Sequence, residues 1–335
     1  MPGNAGLKML AAAAVVAAVV LGGCRDDGDG TSPPPRGPFG VALREIGGGG
    51  AGTLGVGWAD PQLVTKSGRG AEAIAAAVAP NAASIVEQAR SLRRHFGLAP
   101  LEAEQLISVG GSYAFGLRLD GVDGRGLAKA LVADGGRSRQ RGELELVEIG
   151  DYAVVPEALL RLDVRGLGAF DAFGRDLVVL AISDRARAAL LGRGDRLLEE
   201  PAYRAAADCL HDAVAVRTIP DKHLLSSEVG IEQVAIGITT DGEVLCVVGG
   251  TPERADDIAA GLERSLAPDA EDPVTGERIG DSLAGVEVSR SSYDGVELVR
   301  AQATTPAGGE PGFFFAAVSR GSLVGLLNGS DSFLP

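Results

Sequence analysis

The residues able to do chemistry are few. The 335-residue chain holds three histidines, His95, His211 and His223, and three cysteines, Cys24, Cys209 and Cys246. No histidine stands in HExxH or at ligand-like spacing from another histidine or a cysteine, so no metal is expected. His211 and Asp212 could supply the base and orienting carboxylate of a hydrolase, with Ser226 or Ser227 as nucleophile. No nucleophile elbow accompanies them, because GGSYA at 110–114 lacks the last glycine of GxSxG, and polar surface at a helix end is the plainer reading. Gly249-Gly250-Thr251 lies between a strand and a helix, where backbone N–H groups cradle phosphates. It lacks both GxxxxGK[ST] and GxGxxG and reads as an ordinary turn. An Asp-rich run fails as a calcium loop: counted from Asp27, its sixth position is Ser32 and its twelfth Pro38. Arg193-Gly194-Asp195 and Asn328-Gly329-Ser330 carry no chemistry in their contexts. No catalytic residue, metal ligand or cofactor site is assigned, and the chain is not expected to be an enzyme.

Cys24 is different, because of what precedes it. Met1 to Met9 carry one charge, Lys8, and Leu10 to Leu21 are apolar without a break. A helix of that length reaches about 18 Å, short of a hydrocarbon core about 30 Å thick. A basic start, a short apolar run and small residues before a cut make a secretory signal. Leu21-Gly22-Gly23-Cys24 then resembles the lipobox of bacterial lipoproteins, with Gly22 departing from the more usual Ala, Ser or Thr. The resemblance implies cleavage before Cys24 and a diacylglycerol-modified, palmitate-bearing thiol there. The membrane is then a partner through that lipid, and the address is the extracytoplasmic face of the cell membrane. Two acyl chains give stable anchoring where one does not.

Net charge is −14, from 31 basic and 45 acidic residues. An acidic protein repels phosphate backbones, so nucleic acid is excluded as a partner. Aromatic residues make up 4% of the chain, too few for recognition of sugars by stacking. Two basic clusters, Arg90, Arg93, Arg94 and His95, and Arg137, Arg139 and Arg141, read as solvated surface. The first complements a helix C-terminus; the second falls in a turn-like stretch before a strand.

The elements alternate. LGVGWAD is a strand, with Asp60 and Pro61 opening a helix, and residues 71–79 are helix-prone. After Pro80 a helix carries Ser84 and Glu87 at capping-box spacing and a stripe of Ile85, Ala89, Leu92 and Phe96, ended by Gly97. YAFGLRLDG, ELELVEIG and LVVLAIS read as strands, GLAKALVADG, DRARAALLG and PAYRAAADCLHDAV as helices. EQVAIGITTDG and EVLCVVGG form a hairpin before the helix TPERADDIAAGLERSLA, capped by Thr251. VEVSRSSYDG, VELVRAQA, GFFFAAVSR and SLVGLLNG read as short strands.

This pattern predicts an α+β fold, helices on one face of a mostly antiparallel sheet, with two halves of similar rhythm. The expected domains are a signal peptide at 1–23, a disordered tether rich in Asp, Pro and Gly at 24–52, and α+β modules at 53–220 and 221–335. FGLAP, LVVLAISDRARAALL and EEPAYRAAA make the body similar to a group of lipoproteins of high-GC Gram-positive bacteria, which implies no catalytic residues. The expected function is non-catalytic binding or an accessory role in the cell envelope, with an envelope protein as a possible partner. The alternatives are a module for a small or lipidic ligand, and a hydrolase around His211. Cys209 and Cys246 remain as an even pair in an exported chain, either joined as a disulfide or buried as free thiols.

Overall fold

A computed structural model describes residues 36–48, 55–78, 80–111, 114–133, 136–148, 171–220, 231–306 and 312–328. The chain folds as α+β. Strands β1 (Gly55–Ala59), β2 (Gln105–Gly111), β3 (Ala114–Asp120), β4 (Arg137–Arg141), β5 (Leu144–Glu148), β6 (Asp171–Phe173) and β7 (Leu177–Ala181) precede β8 (Ala215–Pro220). Then come β9 (Gln233–Ile238), β10 (Gly242–Val248), β11 (Ala284–Tyr293) and β12 (Val296–Thr304). They join one antiparallel sheet in the order β11-β12-β10-β9-β8-β1-β2-β3-β7-β6-β5-β4.

Helices cover both faces of this sheet, not one. On the first face lie α2 (Pro61–Lys66), α3 (Ala71–Ala77), α4 (Pro80–Glu87), α5 (Ala89–Phe96), α6 (Gly124–Ala133), α9 (Pro252–Ser265), α10 (Ile279–Ser282), α11 (Phe313–Arg320) and α12 (Leu323–Asn328). On the second lie α1 (Gly37–Leu43), α7 (Asp184–Leu190) and α8 (Pro201–Cys209). Strand β10 shows why. Leu245 and Val247 enter the first core and Val244, Cys246 and Val248 the second, so every residue of the strand is buried. The continuous apolar run VLCVV at 244–248 is the sequence sign of a strand covered twice.

Local signals set the helix ends. Asp60 Oδ1 accepts from the backbone N–H of Gln62 and Leu63, both at 2.9 Å, and Thr251 Oγ1 accepts from Arg254 N–H at 3.3 Å. Ile85, Ala89, Leu92 and Phe96 are all buried, and Gly97 ends their stripe at φ 70°.

Three expectations change. The tether cannot extend to residue 52, because Gly37–Leu43 is helical and Phe39, Leu43 and Ile46 are fully buried in the second core. A short apolar PFGVAL after a proline suffices for a helix when a sheet is there to cover it. GFFFAAVSR and SLVGLLNG are the helices α11 and α12, although aromatic and β-branched residues favour strands. The cap that decides α11 comes from β10, 69 positions away: Glu243 Oε1 accepts from the N–H of Gly312 (2.6 Å) and Phe313 (2.9 Å), and Oε2 from that of Phe314 (3.0 Å). Finally, Arg137–Arg141 is the edge strand β4, exposed at every position, where a row of arginines blocks further strand pairing.

The two halves repeat in register. Gly57↔Ser108 and Ser108↔Leu117 in the first become Arg217↔Ile236 and Ile236↔Leu245 in the second. The hairpin β4–β5, closing on Arg141↔Leu144, matches β11–β12, closing on Tyr293↔Val296. Helix α6 follows β3 as α9 follows β10, and β1 pairs with β8 where the halves meet, with Gly57 opposite Arg217. The first half differs by inserting β6 and β7 between β3 and β5. The sheet crosses position 220 without a break, since β8 hydrogen-bonds to β9, and Pro34–Pro335 form one compact unit.

Candidate binding cavity

Beside that junction a half-open cavity of about 900 Å³ lies on the first face of the sheet. Its walls are the turn Gly68-Arg69-Gly70, helix α3, helix α11, and the side chains of Arg217 on β8 and Ile238 on β9. It exists because its walls are built from small residues. Ala73, Ala75 and Ala76 face it from α3, and Ala316 and Ser319 from α11, beside the larger apolar groups Phe315 and Ile238. Its volume lies in the range of pockets that enclose small ligands.

Two arginines reach it, and they differ. Arg69 follows Gly68, whose φ of 76° turns the chain back toward the sheet. Its Nη2 donates to Thr305 Oγ1 at 3.3 Å, and its charge lies within range of Glu243. Glu243 has no exposed surface; burial pushes its carboxyl up, against the three N–H donors of α11 and Arg69, which pull it down.

Arg217 has no such company. It stands mid-strand between Val216 and Thr218, and its cross-strand neighbours are Gly57 and Ile236. Among the described residues it has no hydrogen-bond or ion-pair partner. Burial alone lowers its pKa, and a guanidinium remains cationic in a protein regardless. A partly desolvated cation without a counter-ion is costly. That cost falls when an anion enters the cavity its side chain lines.

The residues singled out by sequence do not form this site. His211 Nδ1 lies 2.9 Å from the carbonyl oxygen of Asp208, while Asp212 receives Arg300 Nη2 at 3.2 Å on both oxygens. The Asp212 carboxylate is therefore held by Arg300, and the dyad is not assembled. Ser112, His223, Ser226, Ser227, Gly329 and Ser330 lie outside the described residues, as does Cys24. Gly249 and Gly250 take φ of 104° and 91° ahead of the Thr251 cap, which is the geometry of a tight strand-to-helix turn. Arg193 and Asp195 present their backbone carbonyls to the Gly47–Gly48 stretch. Among the described residues no group of His, Cys, Asp and Glu is arranged to hold a metal. Cys209 on α8 and Cys246 on β10 form a disulfide, with Cα atoms 6.4 Å apart, that ties the second-face helix to the sheet.

Arg217 was legible only as an anomaly: a charge inside AVAVRTIP, where strand alternation calls for an apolar or outward residue. Arg69 and Glu243 gave no local sign, because the partners that define them are over 60 positions away. Comparisons with protein-family models, with curated proteins and with solved structures give no match, so the cavity's chemistry stands on its own residues.

Proposed function

We propose that this chain is an exported bacterial lipoprotein, held by lipid on Cys24 at the extracytoplasmic face of the cell membrane, that binds a small ligand in the cavity between α3 and α11. The observation that carries the binding reading is Arg217, a cation without a partner among the described residues, on the wall of a cavity of about 900 Å³. The address is supported by the short apolar run ending in LGGC, and by the Cys209–Cys246 disulfide, which suits an oxidising compartment. Binding is tested by filling the space: Ala316→Leu in the membrane-purified full-length protein should abolish the thermal stabilisation that any cavity ligand confers. A ligand that stabilises both proteins equally binds elsewhere. For the address, a fatty-acid analogue should label the wild type and not Cys24→Ala; equal labelling refutes the anchor.

A second reading, an accessory subunit docking an envelope protein, is favoured by strand β4. Arg137, Arg139 and Arg141 stand on one side of an exposed edge in a chain of net charge −14. A photo-crosslinker at Ser138 should capture an acidic partner in cells, and a clean lane would remove this reading.

A further inference from the structure

The cavity's charges are unevenly spent. Arg69 faces the buried Glu243 and is held by Thr305. Glu72, the one acidic side chain in the wall, is exposed at the mouth. Arg217 rises from strand β8, and among the described residues nothing pairs with it, so one positive charge is left over. The apolar part of the remaining wall comes from Ala73, Ala75, Ala76, Ile238, Phe315 and Ala316; the polar part is glycine backbone and the Ser319 hydroxyl, which already donates to the Phe315 carbonyl. One such cation facing a mostly apolar wall matches one anionic group on an apolar body. A doubly charged head would bring more negative charge than the site can neutralise, with Glu72 and Glu243 nearby to repel it.

Resting on the binding reading above, we propose that the cavity takes a monoanionic amphiphile, a carboxylate on an aliphatic body, with Arg217 anchoring the carboxylate and the alanine walls of α3 and α11 holding the chain. The guanidinium offers a planar fork that fits the two carboxylate oxygens. The alkyl body leaves water for apolar surface, at a gain of about 25 cal/mol per Å² buried. Charge thereby sets the orientation, head toward β8 and tail along the helices.

The test uses full-length protein in nanodiscs, titrated calorimetrically with octanoate, 1-octanol and octyl phosphate, with empty nanodiscs as the baseline. Octanoate should bind one per chain and at least tenfold tighter than 1-octanol. Arg217→Gln should weaken octanoate at least tenfold and leave 1-octanol unchanged, while Arg217→Lys retains most of the difference. Cooperative melting at or above the wild-type temperature would show that the variants fold. Octanoate and 1-octanol binding equally, or Arg217→Gln without effect on octanoate, overturns the anionic anchor and leaves the cavity reading intact. Octyl phosphate binding tighter than octanoate overturns the monoanionic carboxylate class. If none of the three binds above the nanodisc baseline, the cavity reading falls with the proposal.

Discussion

The two halves of the sheet share a backbone and differ in what they hang on it. At matching register the first half carries Gly57, Trp58, Gln105, Phe115, Arg118 and Asp120, where the second carries Arg217, Thr218, Gln233, Glu243, Cys246 and Val248. In the first half a polar chain runs across the second face. Trp58 Nε1 donates to Gln105 Oε1 at 3.1 Å, and Gln105 Nε2 to Asp120 Oδ2 at 2.6 Å. Arg118 Nε donates to the other Asp120 oxygen at 2.8 Å, and the same guanidinium reaches Glu45 and the carbonyl of Leu190 at the end of α7. In the second half a covalent bond from Cys246 to α8 takes the place of Arg118. Gln233, with Thr218 and Val248 in place of Trp58 and Asp120, has neither its oxygen nor its nitrogen bonded among the described residues. The first face diverges as well. Phe115 fills the apolar layer, whereas Glu243 caps α11. At Gly57 a Cβ would lie 2.4 Å from the Ala77 carbonyl, so α3 closes down there. Opposite it Arg217 lines open space. One scaffold thus supports a half tied by polar contacts and a half that holds a disulfide and a cavity.

This contrast can be broken in order of effect. Replacing both Cys209 and Cys246 by Ala should cost about 4 kcal/mol, from the entropy of an unlinked loop of 37 positions. A chemical melt under reducing and oxidising conditions measures it, and equal midpoints would show that the second half does not depend on its bond. Arg118→Met should cost about 3 kcal/mol, because it strands Asp120, whose side chain is only 14% exposed, without its cation. A loss below 1 kcal/mol would mean that the first half is held by packing alone.

Glu243→Gln should cost about 2 kcal/mol at acid pH, since the amide replaces one of the two oxygens that meet the three N–H donors of α11 by an NH2 group that cannot accept. Its pH signature has a definite sign. The folded-state pKa lies above the ordinary 4.5, so Glu243's contribution is fullest below that value and declines as pH rises through the folded pKa. The wild-type minus variant stability should therefore fall across that window; a rise would mean that the three N–H donors outweigh burial. The smallest effect is the sharpest comparison. Gln105→Leu should destabilise by about 1 kcal/mol by orphaning Trp58 Nε1, while Gln233→Leu, which removes an amide already unpaired, should stabilise by a similar amount. The same sign at both positions would refute the difference between the halves.

Local residue patterns dictate the class of fold and much of its framework. The caps at Asp60 and Thr251, the stripe through Ile85 and Phe96, the hairpin of β9 and β10 and the repeated rhythm all depend on residues within a few positions of one another. Tertiary structure alone decided the rest. Phe313–Arg320 is a helix because a carboxylate from β10 caps it. Arg137–Arg141 is a strand because β5 pairs with it, and Gly37–Leu43 is ordered because the sheet covers it. The cavity belongs to this second kind. Neither the alanines of α3, nor Ala316, nor Arg217 signals a ligand alone, and only the fold sets a lone cation against walls too small to fill the space before it.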